Sequence, residues 1–340
     1  MKHVTISSVY NFESGYNVLL KGLLDNLPKN NYSIRPRSYS KVTSDFQRYF
    51  ENVVYRKEDC NLLLLPPCNQ IDSVHPLFNI VPAKNTIFFT MWESSRFTDI
   101  FIDKSNTMQA MIVPNKWNKQ SLELQGCNVP IHIVPLFIDD KVFNYQEPIV
   151  QNKFIFGTAN DDPRKRVNET IKCFIKAFPK EKDVVLKVKL SKNSIINKFT
   201  DDRIKIITDS YSQRQLVDFY ASLNVFVSGV SSEGWGLHQH ESMACGRPVI
   251  AACYAGLAEF MTEENSFCLK YNEVPSTDYW ETPGGKWSKY DEDHMIETMR
   301  YCYNNSSSVF QKGIIASENV SRFNVANFIS DISSVINIYT

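Results

Sequence analysis

The chain is organised around Ser231-Ser232-Glu233-Gly234-Trp235-Gly236-Leu237-His238-Gln239-His240-Glu241, which runs on into Ser242-Met243-Ala244-Cys245-Gly246-Arg247-Pro248. Just ahead of it, Asn224-Val225-Phe226-Val227-Ser228 is a β-branched and aromatic run that reads as a buried strand. Leu237 to Cys245 reads as a helix ended by Gly246 and Pro248, and Val249-Ile250-Ala251-Ala252 supplies the next strand. The pattern is a βαβ unit with a glycine-broken turn before its helix. Two glycines let the main chain turn tightly and let a ligand come close to it. The N–H groups of a helix start, with the positive end of its dipole, suit a phosphate.

A helix beginning at Leu237 puts positions 237, 241, 244 and 245 on one face. Three are apolar or small and the fourth is Glu241, so a carboxylate is expected on the core-facing stripe. It must be hydrogen-bonded there or bind something. Glu233 lies in the turn, close to the same helix mouth. A capping role for Glu233 and an internal partner for Glu241 would account for each alone. Two carboxylates bracketing a Gly-x-Gly turn point instead to a ligand site.

With 340 residues, two domains are expected rather than one large core. The composition, 43% hydrophobic and 22% charged, is that of a globular chain. Apolar runs fall short of the roughly 18 residues of a membrane span, and Met1-Lys2-His3-Val4-Thr5-Ile6 enters a strand pattern without a signal-peptide core. The 8 cysteines show no C-x-x-C pair or zinc spacing, so reduced, buried thiols in a cytoplasmic setting are expected. The net charge of +0 gives no general pull toward nucleic acid or acidic lipid. Lys29 to Lys41, with Arg35 and Arg37, is a modest basic stretch read as a solvated loop, or a contact for a phosphorylated or nucleic-acid acceptor.

Strands are expected at 3–7, 61–65, 86–90, 110–113 and 132–134, and helices at 16–27, 45–51, 97–101 and 116–124. This is the βα rhythm of a doubly wound parallel sheet, whose ligands sit beyond the carboxyl ends of the strands. Ser14-Gly15-Tyr16-Asn17 follows the first strand and opens the first helix, too short for a dinucleotide fingerprint. Thr90-Met91-Trp92-Glu93 ends another strand, with Trp92 either covering the core or facing a cleft. The aperiodic segment from Asp140 to Asn152, with Pro148, marks a domain boundary. A second series begins at Phe154-Ile155-Phe156-Gly157. There Pro163-Arg164-Lys165-Arg166 leads into a helix at 167–178, as a solvated basic face or an anion site. Further strands are expected at 184–190 and 204–207, helices at 213–221, 293–303 and 325–336, and a long surface loop from Asn272 to Tyr290. His238 and His240 cannot share a metal with Glu241, because residues two apart on a helix point to nearly opposite sides.

Glu233 and Glu241 have seven residues between them. With the segments EGWGL, HESMACGRPVIA and AGLAEF, this resembles the E-x7-E pattern of the retaining group-1 glycosyltransferases. The segments VPNKWN (113–118), VPIHIVP (129–135) and LVDFYAS (216–222) are similar to further stretches of that family. The resemblance implies an α/β chain of GT-B fold, with two Rossmann-like doubly wound domains facing across a central cleft. It implies an acceptor-side domain at 1–145, a nucleotide-sugar domain at 152–322, and a last helix at 323–340 that packs back on the first domain. It implies a retaining, metal-independent glycosyltransferase that moves a sugar from a nucleotide-diphosphate sugar to an unidentified acceptor hydroxyl. By the same resemblance the donor residues are Gly15, Arg164, Lys165, Glu233, Gly234, Trp235, Gly236, Leu237 and Glu241. Of these, Glu233 meets the sugar, Glu241 the ribose, and Lys165 and Arg164 the diphosphate. Glu233, Lys165 and Glu93 are the expected catalytic groups. Two departures stand out: Thr158 occupies the place of a family arginine, and Trp92 and Glu93 stand where many relatives carry a histidine. No cofactor and no metal is expected. A GT-B nucleotide-sugar epimerase and a non-catalytic glycan- or partner-binding member are the alternatives.

Overall fold

A computed structural model of the chain describes residues 2–8, 15–38, 60–64, 83–149, 151–159, 162–191, 194, 199–276 and 284–340. Its contacts fall into two compact units. One comprises Met1–Phe137, Pro275–Lys286 and Phe323–Thr340, the other Ile138–Val274 and Trp287–Arg322.

In the first unit, strands β1 (Lys2–Ser8), β2 (Tyr32–Ser38), β3 (Cys60–Leu64), β4 (Thr86–Phe89), β5 (Ala110–Val113) and β6 (Ile131–Ile133) form a sheet in the order β2-β1-β3-β4-β5-β6. Every described pairing is parallel. Helices α1 (Gly15–Asn26), α2 (Asp99–Ser105), α3 (Lys116–Leu124) and α9 (Val325–Ile338) belong to the same unit. Leu62, Leu63 and Leu64 are wholly buried, as the central strands of a parallel sheet covered on both faces must be. The last helix, α9, packs within this unit: Phe328 meets the rings of Phe89 and Phe137, and Tyr32 and Lys2 both reach Asn337 Oδ1 at 2.9 Å.

The second unit repeats the plan. Strands β7 (Phe154–Ala159), β8 (Val184–Lys189), β9 (Ile204–Ile207), β10 (Val225–Val227), β11 (Val249–Ala251) and β12 (Phe267–Cys268) lie in the order β12-β11-β10-β7-β8-β9, again parallel. Helices α4 (Val167–Ala177), α5 (Gln213–Ala221), α6 (Leu237–Ala244), α7 (Glu292–Asn304) and α8 (Ser306–Val320) flank it. Its core gathers Phe156, Ile171, Phe174, Phe178, Val225 and Met295. Two six-stranded parallel sheets with flanking helices are what the sequence resemblance implied.

Several expectations are corrected. Part of the supposed basic loop 29–41 is β2, an edge strand, which is where a sheet tolerates Pro36 and charged side chains. Helix α2 starts after Thr98 rather than at Phe97, because the Thr98 side chain accepts from the Phe101 N–H at 3.3 Å and caps it. The supposed loop 272–290 holds two strands, β13 (Tyr271–Pro275) and β14 (Lys286–Tyr290), paired with each other. Helix α8 was not foreseen, and the helix expected at 45–51 lies outside the described residues. The division between units falls earlier than 140–152. Arg247, 2% exposed, donates to the carbonyls of Gln146 (2.9 Å) and Glu147 (3.3 Å), so that stretch belongs with the second unit. Finally, the cysteines are not all thiols: Cys253 and Cys268 form a disulfide, while Cys60, Cys127, Cys173, Cys245 and Cys302 are free and buried. Among the described residues no helix is long and apolar enough to cross a membrane.

Candidate functional site

After β10 the chain turns through residues 228–236 before α6 begins. Gly236 sits at the helix N-cap with φ 103°, a value in which glycine alone is unstrained. A Cβ there would also lie 2.3 Å from Leu257 Cδ2. Gly256 is needed for close approach: a Cβ would meet the Gly234 carbonyl at 2.6 Å, and its N–H donates to Glu233 O at 2.9 Å. Ser231 N–H donates to Arg164 O and Ser288 N–H to Ser231 O, both at 2.9 Å. The Glu233 turn is thus clamped from three sides. Arg166 (φ 50°) and Ala255 (φ 53°) are the non-glycine residues with positive φ among the described residues, and both flank these clamping segments. Strain of that kind collects at functional sites.

The carboxylate of Glu233 is buried between two cations. Lys165 Nζ contacts Oε1, and Arg164 Nη1 lies 3.1 Å from Oε2 while also donating to Ser232 O. The side chains of Arg164 and Lys165 are 9% and 11% exposed, so this basic stretch is not a solvated face. The one-turn helix Pro163–Lys165 holds them, with the Asp162 side chain accepting from Arg164 N–H at 2.9 Å. Burial alone would push the Glu233 carboxyl up. Lys165 and Arg164 outweigh it and hold the group at about 2, so it is ionised. Gly236 offers the start of α6 no side-chain cap, and the buried Ser232 Oγ and Gln239 Oε1 have no hydrogen-bond partner among the described residues. Together the arrangement presents two fixed cations and an uncapped helix start, the equipment for an oxyanion or phosphate.

Helix α6 is rotated from the expected setting. Gln239, His240, Ser242, Met243 and Ala244 are buried, whereas Leu237, His238 and Glu241 are half-buried. Packing against α5, α8 and β11 takes up most of the helix surface and leaves Glu241 on the open side, not on the core stripe. Tyr220 OH donates to Glu241 Oε2 at 2.7 Å, and His238 Nδ1 stands 3.0 Å from the same hydroxyl. His240 points inward: its Nδ1 accepts from Trp235 Nε1 at 3.0 Å, its ring stacks on Phe260, and burial pushes its pKa down to about 3. The Trp235 side chain, 2% exposed, is therefore a core wedge, and only its main chain can serve a donor. Lys189 Nζ bonds Leu190 O and sits over the Tyr211 ring.

The first unit holds the other expected residues. Gly15 is the first residue of α1, and the next residue, Tyr16, accepts the Met91 N–H on its hydroxyl at 3.3 Å. Burial, with the nearby Glu93 carboxylate, raises the Tyr16 hydroxyl far above its ordinary range. Gly15, Tyr16 and Glu93 are thereby gathered at one end of that sheet. Trp92 is 3% exposed and gripped by Asn118, which both accepts from its N–H (3.2 Å) and donates to its carbonyl (3.0 Å). Trp92 covers the core. Tyr220 and Asn118 were missed because each pairs with a residue 21 or 26 positions away, a separation without local signature.

Residues 164–277 match the family model described as Glycosyl transferases group 1. Over 135 residues the chain is 30% identical to an MMP alpha-(1->4)-mannosyltransferase of Mycolicibacterium hassiacum, covering 38% of this chain and 33% of that protein. It thus spans about a third of the length of the curated relative it matches. Among solved structures, sucrose-phosphate synthase from Thermosynechococcus elongatus superposes with a TM-score of 0.72 at 13% identity, over 99% of each chain. HepE of Anabaena, solved with UDP and glucose, gives 0.67 at 12% identity, over 99% of this chain and 100% of that one. At such identities these likenesses establish the fold. The chain therefore has the GT-B fold, and its residues 164–277 are similar to the group 1 glycosyl transferases.

Proposed function

We propose that this chain is a retaining glycosyltransferase that moves a sugar from a nucleoside-diphosphate sugar to an acceptor hydroxyl. The observation that carries the reading is the buried Arg164–Glu233–Lys165 cluster beside an uncapped helix start, inside the segment that matches the family model. The relative with 30% identity is a mannosyltransferase, and HepE was solved with UDP and glucose, which supports a nucleotide sugar as donor.

In the reaction the bond from the anomeric carbon to the diphosphate oxygen breaks, and its electron pair leaves with the nucleotide. The acceptor oxygen bonds the anomeric carbon, and its proton passes to the departing phosphate. Lys165 and Arg164 are fixed cations suited to the charge that grows on that phosphate, and the first N–H groups of α6 add to the same field. Glu233 is assigned to the sugar hydroxyls and Glu241, through its open oxygen, to the ribose diol. Glu93 of the first unit is retained as a proposed catalytic group. The positive field of two cations and a helix start supports a scheme that runs without a divalent ion. Five buried free thiols among the described residues support a cytoplasmic setting, in which the Cys253–Cys268 bond would meet reductants.

Calorimetry with a panel of nucleoside diphosphates and their sugar derivatives tests the reading. Binding of at least one, weakened in Glu241→Ala without loss of fold, is the expected result. Equal affinity per folded molecule, with only a lowered melting temperature, would remove Glu241 from the site. Interconversion of a sugar nucleotide in the absence of acceptor would make the chain an epimerase instead.

A further inference from the structure

We infer that Tyr220 and His238 are positioning residues that hold the Glu241 carboxylate in one orientation and thereby select a ribonucleotide. The inference rests on the assignment of Glu241 to the nucleotide ribose and adds the two side chains that make that contact rigid.

Tyr220 is on α5 and wholly buried, 0% exposed. Its ring is boxed edge-on by Phe143, Phe219 and Phe226, at centroid distances of 6.5, 5.5 and 5.9 Å. A ring so enclosed cannot swing, so its hydroxyl has one place to be, 2.7 Å from Glu241 Oε2. The phenol has one proton. A carboxylate can only accept, so that proton goes to Glu241 and the phenol oxygen is left as an acceptor. The group in reach of it is His238 Nδ1, at 3.0 Å. His238 therefore carries a proton on Nδ1 and completes a directed chain, His238 to Tyr220 to Glu241. Burial and the neighbouring carboxylate raise the Tyr220 hydroxyl well above its ordinary range, which keeps it a donor.

The consequence lies in the other carboxylate oxygen. Glu241 is 13% exposed on its side chain, with Oε2 engaged by Tyr220 and flanked by His238 at 3.7 Å. Oε1 has no partner among the described residues and is the oxygen left for a diol. A free glutamate must give up side-chain freedom when it binds, and a carboxylate already pinned by a buried phenol has given it up beforehand. As the helix geometry required, His238 and His240 do not converge with Glu241. His240 turns into the core, while His238 stays beside the carboxylate it helps to fix.

The test is a cycle between protein and ligand, read by calorimetry on the full chain. The probes are whichever of UDP, GDP and ADP binds best and its 2′,3′-dideoxy counterpart. Wild type is expected to prefer the ribonucleotide. Tyr220→Phe keeps the ring and removes the hydroxyl, and it should weaken the ribonucleotide about tenfold while leaving the dideoxy compound unchanged. His238→Val should act in the same direction, about threefold, and His238→Asn, which keeps an N–H near the Nδ1 position, should restore most of the loss. His238 is half-exposed, so its variants report even if Tyr220→Phe fails to fold. A wild type that discriminates, with variants that discriminate equally well, overturns the positioning role and leaves the ribose assignment standing. A wild type that binds both compounds alike removes the ribose assignment itself.

Discussion

Replacing Glu233 by glutamine tests the cluster on which the site is built. The substitution keeps shape and removes charge, leaving Arg164 and Lys165 side by side at 9% and 11% exposure without the Glu233 carboxylate between them. The carboxyl is held at about 2 against its ordinary 4.5, a gap worth roughly 3 kcal/mol. Breaking a buried pair by removing one partner costs about 3–5 kcal/mol in general, so the two routes agree. In a domain of this size each kcal/mol moves the melting temperature by about 2–4 °C, which predicts a fall of roughly 6–12 °C. The pH dependence follows from the sign of the shift. Because the folded carboxyl is depressed, its contribution is complete above about pH 4.5 and fades as pH falls toward 2. Differential scanning calorimetry of wild type and Glu233→Gln at pH 7, 5, 4 and 3 should therefore show a gap that narrows only below about pH 4.5. Inorganic pyrophosphate should raise the melting temperature of the variant more than that of wild type, since an added anion replaces the lost one. A gap under about 2 °C at pH 7, or one that is undiminished at pH 3, would refute the argument.

Other outcomes follow from neighbouring groups. Buried His240 has its pKa lowered to about 3 from 6.5, so stability should decline as pH drops below about 6.5; in His240→Asn, which keeps an acceptor for Trp235, the melting temperature should vary less between pH 7 and 5. Lys165→Ala should cost about a hundredfold in turnover and also lower the melting temperature, because it removes one of the two cations that compensate the buried Glu233 carboxylate. Arg164→Ala should lower the melting temperature more, because Arg164 also ties down Ser232 O and Asp162. Reducing the Cys253–Cys268 bond, which closes a loop of sequence separation 15, should remove about 3 kcal/mol, seen as a melting shift with dithiothreitol that is absent in Cys253→Ser.

Much of the architecture was legible because parallel strands buried on both faces read as unbroken apolar runs. Ala110–Val113 is such a run, and the helices Lys116–Leu124 and Gln213–Ala221 also lie where the pattern put them. What was hidden depends on position in the sheet or on distant partners. The strand Tyr32–Ser38 carries arginines and a proline that only an edge accepts. Helix α8 opens with three serines, Ser306 to Ser308, and offers weak periodicity at its start. Pairing of Cys253 with Cys268 required the parallel register that sets Ala251 beside Cys268. At the site, the glycines and the two glutamates were visible, since their backbone geometry is local. The face on which Glu241 emerges was not, because it is decided by α8, which the sequence reading lacked. Nor was the capture of Glu233 by Arg164 and Lys165, whose partners lie 69 and 68 residues away.

The measurement that bears most directly on the account is proton NMR of nucleoside-diphosphate sugars incubated with the chain, in chelator and without added acceptor. Water can then serve as a slow acceptor, and the anomeric signal of the freed sugar records which face was attacked. The account predicts slow release of the nucleotide, with chelator present, and a free sugar that first appears in the donor's own anomeric configuration. First appearance of the inverted anomer, activity lost in chelator and regained with Mg²⁺ or Mn²⁺, or conversion of one sugar nucleotide into another would contradict it.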